Sequence, residues 1–293
     1  MSEGYLILAT GHPRYLEMAR NLAASLRVMD GTRRICIVLD GAGTLQGGDH
    51  ALFDDVARLE DDARYPGFMK KIQLYGLTPY QHSMFVDADC LLVKRDADLR
   101  WDEARSVPFA ITGGRSTSGD WKGADVAALL RQEGAPYLVQ MNSGVFCFDQ
   151  SPQARQFFEG VNDFYLRRRE HLGVGLHRGV PTQTDEIYIG LWMGMLGMDA
   201  VPGPAGEDSW MVSTWRAFWI SVDPVRGTAV LRKPRHAFAG VPHPFRGWDR
   251  KSPSFLHFIG LRPTRTYRRL AAFFRAEAAR IGLAAPAAPS AMG

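Results

Sequence analysis

The sequence predicts one α/β domain with a largely parallel sheet covered on both faces, and three features predict it. Residues 5–10 and 35–39 are uninterrupted apolar runs, the pattern of strands buried on both sides. Between them Tyr15, Met18, Leu22, Leu26 and Met29 recur at helical spacing, so the segment reads as strand, helix, strand. The 293 residues, 46% hydrophobic, suffice for one large core, and no repeat or long low-complexity linker marks a second domain.

The remaining elements follow in order. Gly11, His12 and Pro13 end the first strand, and Pro13 suits the first turn of the helix. Residues 41–48 are glycine-rich and read as loop. Phe68, Ile72 and Tyr75 suggest a short helix closed by Gly76 and Pro79. Residues 83–86 read as a strand that runs into Asp87, Ala88 and Asp89, and residues 90–93 form a further apolar run. Residues 108–112 and 139–148 read as strands, and residues 113–123 as a polar loop rich in glycine and serine. Ser151 and Pro152 cap a helix bearing Phe157, Phe158, Val161 and Phe164. Residues 182–195 read as a helix with Ile187, Leu191, Trp192 and Met195 on one side. Residues 215–222 and 228–231 read as a hairpin around Asp223, Pro224 and Gly227. Residues 255–259 form a last short strand and residues 267–281 a basic helix. The Ala- and Pro-rich tail from Ala284 reads as disordered.

The formal charge is +4 and the pI about 9.0. Such a balance suits phosphates, nucleic acid or anionic lipid without choosing among them. Residues 262–280 are the densest basic stretch, and the chain's basic residues are not interleaved with aromatics in a known nucleic-acid module, so no nucleic-acid partner is expected. Cys36, Cys90 and Cys147 lie in apolar runs, no pair has zinc-ligand spacing, and buried reduced thiols are expected. Residues 5–9 are too short and lack the basic start of a signal peptide. No apolar run approaches the roughly 20 residues of a membrane span. A cytoplasmic protein is expected, one with a possible place at the inner face of the membrane.

The chemistry centres on Asp87 and Asp89. They leave the end of a buried strand, and period-two geometry in an extended backbone would point both carboxylates to one side. Hard divalent ions take several oxygen ligands, and a diphosphate can supply the rest. The alternative is a pair of strand-end carboxylates that cap a turn. A second pair, Asp96 and Asp98, follows Lys94 and Arg95 without a strong apolar run and reads as a solvated turn. His257 lies in an apolar strand, where a lone histidine is more often a satisfied core residue than a ligand. Asp40 ends the second strand, the edge at which open α/β sheets bind ligands. It either accepts hydrogen bonds from a base or ribose, or closes a turn before Gly41. Tyr15 either stacks on a base or belongs to the core stripe of its helix. Asp185 opens a helix, which the helix dipole alone explains.

Several segments resemble a known family. Lys71, Ile72, Gln73, Leu74 and Tyr75, then Pro79 and Tyr80, then residues 84–89 resemble the signature region of glycosyltransferase family 8. That family includes glycogenin and bacterial lipopolysaccharide galactosyl- and glucosyltransferases. Asn142, Ser143, Gly144 and Val145 resemble its Asn-x-Gly-Val segment, and Thr184, Asp185 and Glu186 its Asp-Gln helix start. Residues 257–263 resemble its C-terminal His-x-x-Gly-x-Lys-Pro block. Thr10, Gly11 and Tyr15 match the opening of its donor site. The motifs run in the family's order from about residue 5 to 263.

The resemblance implies a GT-A fold over residues 1–263, a Rossmann-like mixed sheet flanked by helices, followed by a basic helix and tail at 264–293. It implies manganese or magnesium held by Asp87, Asp89 and His257. It implies a nucleoside-diphosphate sugar, above all a UDP-sugar, contacted by Thr10, Gly11, Tyr15, Asp40, Lys71, Ala88, Gly260 and Arg262. Lys71 and Arg262 would neutralise the leaving diphosphate, Arg262 holding two oxygens where lysine is a point charge. The bland reading of Lys71 is a solvated helix face, with Lys70 as its confusable neighbour.

Asp185, Asn142 and Glu186 would meet the donor sugar. Transfer with retention needs a nucleophile on the far face, for which Asp185 is the best carboxylate, or same-face attack with the diphosphate as base. Three departures stand out: Glu186 replaces the usual Gln, Arg262 replaces the usual Lys, and residues 210–242 align with nothing.

Trp210, Trp215, Trp219 and Trp248 crowd a stretch without donor motifs and are expected to meet a carbohydrate or glycolipid acceptor, some of them being core. Arg265, Arg268, Arg269, Arg275 and Arg280 share a helix with Tyr267, Leu270, Phe273 and Phe274. That mixture suits peripheral membrane contact, and the alternative is a helix packed on the domain. Other functions compete: a nucleotidyltransferase or sugar-nucleotide hydrolase, or a non-catalytic sugar-nucleotide-binding protein. Gly11, His12, Pro13 and Arg14 make a poor phosphate cradle for a nucleotidyltransferase. Asp87, Asp89, His257 and Asp185 argue against a non-catalytic protein.

Overall fold

A computed structural model describes residues 2–41, 43–172, 174–177, 180–201, 208–234, 237–238, 241–242 and 247–282. The tail from Ala284 lies outside them. The chain opens with β1 (Glu3–Ala9), α1 (Pro13–Met29), β2 (Arg34–Leu39), β3 (Asp55–Arg58), β4 (His82–Val86) and β5 (Cys90–Leu92). It continues through α2 (Ala97–Ala104), β6 (Phe109–Ser116), a small hairpin of β7 (Asp120–Trp121) and β8 (Ala124–Asp125), and α3 (Val126–Glu133). Then come β9 (Leu138–Asp149), α4 (Pro152–Arg168), the paired β10 (Val174–His177) and β11 (Val180–Gln183), and α5 (Asp185–Met195). The last third holds β12 (Asp208–Ser213), β13 (Trp219–Asp223), β14 (Thr228–Pro234), β15 (Ala237–Phe238), β16 (Val241–Pro242), β17 (Trp248–His257) and α6 (Thr264–Arg280).

The main sheet has the order β3-β2-β1-β4-β9-β6. Its first four strands are parallel, and β9 and β6 are antiparallel to their neighbours. Period-two alternation divides its side chains. Tyr5, Ile7, Met84 and Val86 enter one core with α1 and α6, while Leu6, Cys36, Val38 and Phe85 enter another with α4 and α5. Apolar residues on both faces are what residues 5–10 and 35–39 require. A second sheet has the order β12-β17-β14-β13, with β5 paired to β17. The expected α/β class and mixed sheet are therefore present.

Local chemistry sets the helix ends. The His12 side chain accepts from the Arg14 N–H with Pro13 at the first position, and Ser151 caps α4 with Pro152 behind it. In α5, Gly190 and Gly194 let the helix lie on β9. A Cβ at Gly190 would stand 2.5 Å from the Val139 carbonyl oxygen, and one at Gly194 would collide with that of Tyr137. This close packing fixes the first turn of α5, where Asp185 and Glu186 sit.

Several expectations are corrected. The segment read as a helix from residue 182 begins at Asp185, because residues 182 and 183 belong to β11. Residues 113–123 are not a bare loop: β6 runs to Ser116 and the β7–β8 hairpin follows. Asp96 and Asp98 open α2 rather than form a turn, with Asp98 solvated as expected and Asp96 half-buried. Asp96 pairs with Lys94 and the buried Arg100, both at 3.1 Å, and Asp98 pairs with Arg33 at 2.7 Å. The hairpin strand expected from residue 215 starts at Trp219. The last strand is ten residues long rather than short.

α6 packs on α1 and buries Tyr267, Leu270, Ala271, Phe274 and Ala278. The Tyr267 hydroxyl accepts from Asn21 at 3.1 Å, and Arg275 pairs with Glu17 at 2.5 Å. Its apolar stripe is therefore spent on the domain, and Arg265, Arg268 and Arg269 face water. Among the described residues no helix is long and apolar enough to cross a membrane. The three cysteines are buried free thiols, as expected.

Candidate functional site

The carboxyl ends of β1, β2 and β4 open on one edge of the main sheet, with β9 beside β4. β4 ends where the Asp87 N–H donates to the Gly144 carbonyl on β9 at 2.8 Å. The chain then turns, the Cys90 N–H donating to the Asp87 carbonyl at 2.9 Å. Asp87 thus opens a tight turn and Asp89 lies inside it, so the turn, not period-two geometry, sets where their side chains leave the backbone. β5 pairs with β17 so that Cys90 lies opposite His257, and the Phe258 N–H donates to the Asp89 carbonyl at 2.9 Å. This ladder carries His257 to the aspartates across a long stretch of chain.

His257 Nε2 stands 3.0 Å from Asp89 Oδ1 and 3.9 Å from Asp87 Oδ2. Those separations suit donor atoms around one small ion, since octahedral bonds of about 2.1 Å put neighbouring ligands about 3 Å apart. His257 Nδ1 faces Asn142 Oδ1 at 3.2 Å, and that oxygen also accepts from the Gly144 N–H at 3.0 Å. Asn142 thereby orients the imidazole with Nε2 toward the aspartates. Burial lowers the pKa of His257, but the charges of Asp89 and Asp87 outweigh it and leave the group raised. Burial raises Asp87 against the pull of Lys71 and His257. The Cys90 sulfur also lies near Asp89 and His257, but burial pushes its thiol well above the usual range. The two carboxylates and the imidazole fit manganese or magnesium, and Cys90 beside Asp89 and His257 would offer a softer donor.

Lys71 is buried, and its ammonium donates to Asp87 Oδ2 at 2.9 Å and to Ser143 Oγ at 3.1 Å. Asp185 Oδ2 lies 3.8 Å from it. Burial would lower the Lys71 pKa, but Asp185, Asp87 and Glu186 raise it, so it remains an ammonium ion. Lys70, by contrast, points toward Asp40 and Asp61 at 3.7 and 3.6 Å. Asp185 and Glu186 are both buried, and Asp185 Oδ2 has no hydrogen-bond partner. Glu186 Oε1 accepts from the Ser143 N–H at 3.3 Å, and Oε2 meets Lys122 Nζ at 2.6 Å.

On the other side of the turn, the Gly11 N–H donates to Asp40 Oδ2 at 2.6 Å, which ties the ends of β1 and β2 together beside Thr10. Tyr15 is half-buried against the core, and the Arg14 guanidinium lies over its ring at 4.9 Å. Gly260 has φ +62, and Arg262 is exposed, its carbonyl accepting from Thr214 Oγ1 at 2.5 Å. Ala88, in the turn, is buried.

No protein-family model and no curated protein matches the chain. Solved structures do match. Galactosyltransferase LgtC, in complex with donor and acceptor sugar analogues, superposes with a TM-score of 0.50 over 92% of this chain and 95% of its own, at 13% identity. The fold is GT-A. Glycosyltransferase GlyE of Streptococcus pneumoniae TIGR4 is similar over 64% of this chain, at 11% identity and a TM-score of 0.41. This chain spans 43% of the GlyE chain, less than half its length. Mouse xyloside xylosyltransferase 1 is similar over 73% of this chain and 89% of its own, at 11% identity and a TM-score of 0.41.

Within this GT-A fold, Asp87, Asp89, His257, Asn142, Lys71, Asp185 and Glu186 form one connected cluster, while Thr10, Gly11 and Asp40 form a second at the strand ends. Sequence reasoning missed Lys122, Ser143 and Thr214. Ser143 lay inside a quoted motif, but Lys122 sat in a segment read as polar loop and carried no local signal. The tryptophans divide. Trp210 is fully buried and donates to Glu103 at 2.5 Å, whereas Trp215, Trp219 and Trp248 are exposed. Trp219 and Trp248 flank the Arg232 guanidinium at 5.0 and 5.2 Å.

Proposed function

We propose that the protein is a metal-dependent, retaining glycosyltransferase that moves a hexosyl group from a UDP-sugar to a carbohydrate or glycolipid acceptor. The observation that carries this reading is the convergence of Asp87, Asp89 and His257 beside the buried pair Asp185 and Glu186, at the ligand-binding edge of a GT-A sheet. Asp87, Asp89 and His257 would hold manganese or magnesium, which when bound neutralises the diphosphate and so favours its departure.

The chain's own groups do the rest. Lys71 keeps Asp87 and Asp185 aligned. Asn142 fixes the tautomer and tilt of His257. Asp40, braced by Gly11, offers a carboxylate to ribose or base, with Thr10 and Tyr15 beside it. Arg262, with Gly260 letting the backbone turn close by, meets the phosphates. Asp185 Oδ2 is buried and 3.8 Å from Lys71 without a hydrogen bond, which suits a contact completed by the donor sugar. That contact serves either as nucleophile or, in same-face attack, as support for the sugar while the diphosphate takes the acceptor proton. Trp215, Trp219 and Trp248 give the acceptor aromatic faces. A membrane contact would rest on the exposed Arg265, Arg268 and Arg269, because the apolar side of α6 is buried.

Calorimetry with a nucleotide-sugar panel in manganese tests the donor, and proton NMR of early product tests retention. Binding of no nucleotide sugar would sink the transferase reading. An inverted product would remove the retaining assignment and leave the donor site standing.

A further inference from the structure

Lys122 is the part of this site that neither the motifs nor the core requires. It stands at the tip of the β7–β8 hairpin, where Lys122 has φ +55 and Gly123 φ +82. Two successive positive φ values mark a primed two-residue turn, which favours glycine, asparagine or aspartate. Lysine gains nothing locally from that backbone. Its compensation lies across the site, where its ammonium reaches Glu186 Oε2 at 2.6 Å. The Lys122 side chain is 41% exposed and that of Glu186 only 7%, so the lysine brings charge from the surface to a buried carboxylate.

The connection continues inward. Glu186 Oε1 accepts from the Ser143 N–H, the Ser143 hydroxyl accepts from Lys71, and Lys71 holds Asp87. Asp87, Asp185 and Glu186 place three carboxylates around the buried Lys71, and Lys122 adds a second cation. Glu186 stands where the family resemblance expects glutamine, a neutral group with no need of a cation.

We infer that Lys122 is a positioning residue: by pairing with Glu186 it holds the hairpin of residues 120–125 against the first turn of α5 and fixes Glu186 for the hydroxyl groups of the donor sugar. This rests on the donor-site reading above. It assigns the pair to the sugar, not to the nucleotide, because Glu186 joins through Ser143 and Lys71 to Asp185, whereas Asp40 is held by Gly11 and Lys70.

The test is a double-mutant cycle with Lys122→Met, Glu186→Gln and the two combined. Melting temperature is read alongside manganese-dependent binding of UDP-glucose, UDP-galactose and UDP. Lys122→Met strands a buried carboxylate. It is expected to lower the melting temperature by roughly 2 °C or more and to weaken UDP-sugar binding about tenfold while sparing UDP. Adding Glu186→Gln to Lys122→Met is expected to recover part of both losses, because the stranded charge is gone. Additive effects on melting temperature, with donor binding intact in the wild type, would overturn this inference alone. Equal losses for UDP and the UDP-sugars would overturn the sugar-side assignment. A wild-type protein that binds neither UDP-sugar would overturn the donor-sugar role together with the transferase reading.

Discussion

Replacing Gly144 with alanine probes the imidazole without touching a ligand atom. A Cβ at Gly144 would stand 2.9 Å from His257 Nδ1, 3.2 Å from His257 Cε1 and 3.0 Å from Asn142 Oδ1. Ordinary contacts begin near 3.4 Å, so the ring and the amide must together give way by roughly half an ångström. His257 is buried and held between Asn142 and Asp89, so a displaced ring disturbs the 3.2 Å contact with Asn142 and the 3.0 Å approach of Nε2 to Asp89. Loss of that orienting hydrogen bond costs about 1 kcal/mol, and misaiming a ligand adds to it. Disturbing the group that orients a ligating histidine lowers metal affinity by about 10–100-fold. Gly144→Ala is therefore expected to weaken manganese binding by about that factor, measured by calorimetry in the presence of UDP. Asn142→Ala should reproduce much of the loss, since it removes the same hydrogen bond without the clash. Manganese affinity within about twofold of wild type in a folded Gly144→Ala protein would refute the ligand role of His257.

The tryptophans should separate by burial: Trp210→Ala is expected to cost about 3–5 kcal/mol of stability, read by denaturant melts. Trp219→Ala and Trp248→Ala should raise the acceptor KM while leaving melting temperature and donor Kd near wild type; equal effects on donor and acceptor would make them structural. Asp49 should govern acid stability. Burial works against its ionisation, but Arg20 and the Gln46 N–H hold its pKa below the usual value. A depressed folded pKa means stability present above the unfolded value of about 3.9 and lost as pH falls through the folded one. Wild type should therefore lose its advantage over Asp49→Asn below about pH 4, and melting curves that stay parallel across that range would contradict this.

How much of this was legible depends on where the signal lay. β1, α1 and β2 announced themselves because both faces of the strands are buried, which leaves an uninterrupted apolar run. β3 did not. It is a four-residue edge strand with alternating exposure, and its sequence Asp-Val-Ala-Arg is too short and polar for a period to register. α2 was hidden because its inward face includes Arg100, fully buried on Asp96, Glu103 and Ser254, so hydrophobicity could not report burial. α3 has only eight residues and follows a segment read as loop. At the site, Asp87, Asp89 and His257 were found through the order of weak motifs, yet their mutual geometry depends on β5 pairing with β17, which no local pattern encodes. The same limit hid the pair of Lys122 and Glu186.

Binding of the UDP-sugar that scores best in the panel, titrated into wild type and Asp89→Asn with manganese and again with EDTA, tests the central claim. Asn at position 89 keeps the shape of the side chain and removes its charge, so the fold should persist with a melting temperature near wild type. The account predicts that wild type binds and turns over donor only with manganese or magnesium, and that Asp89→Asn does neither under any condition. Full activity of Asp89→Asn in EDTA would contradict it.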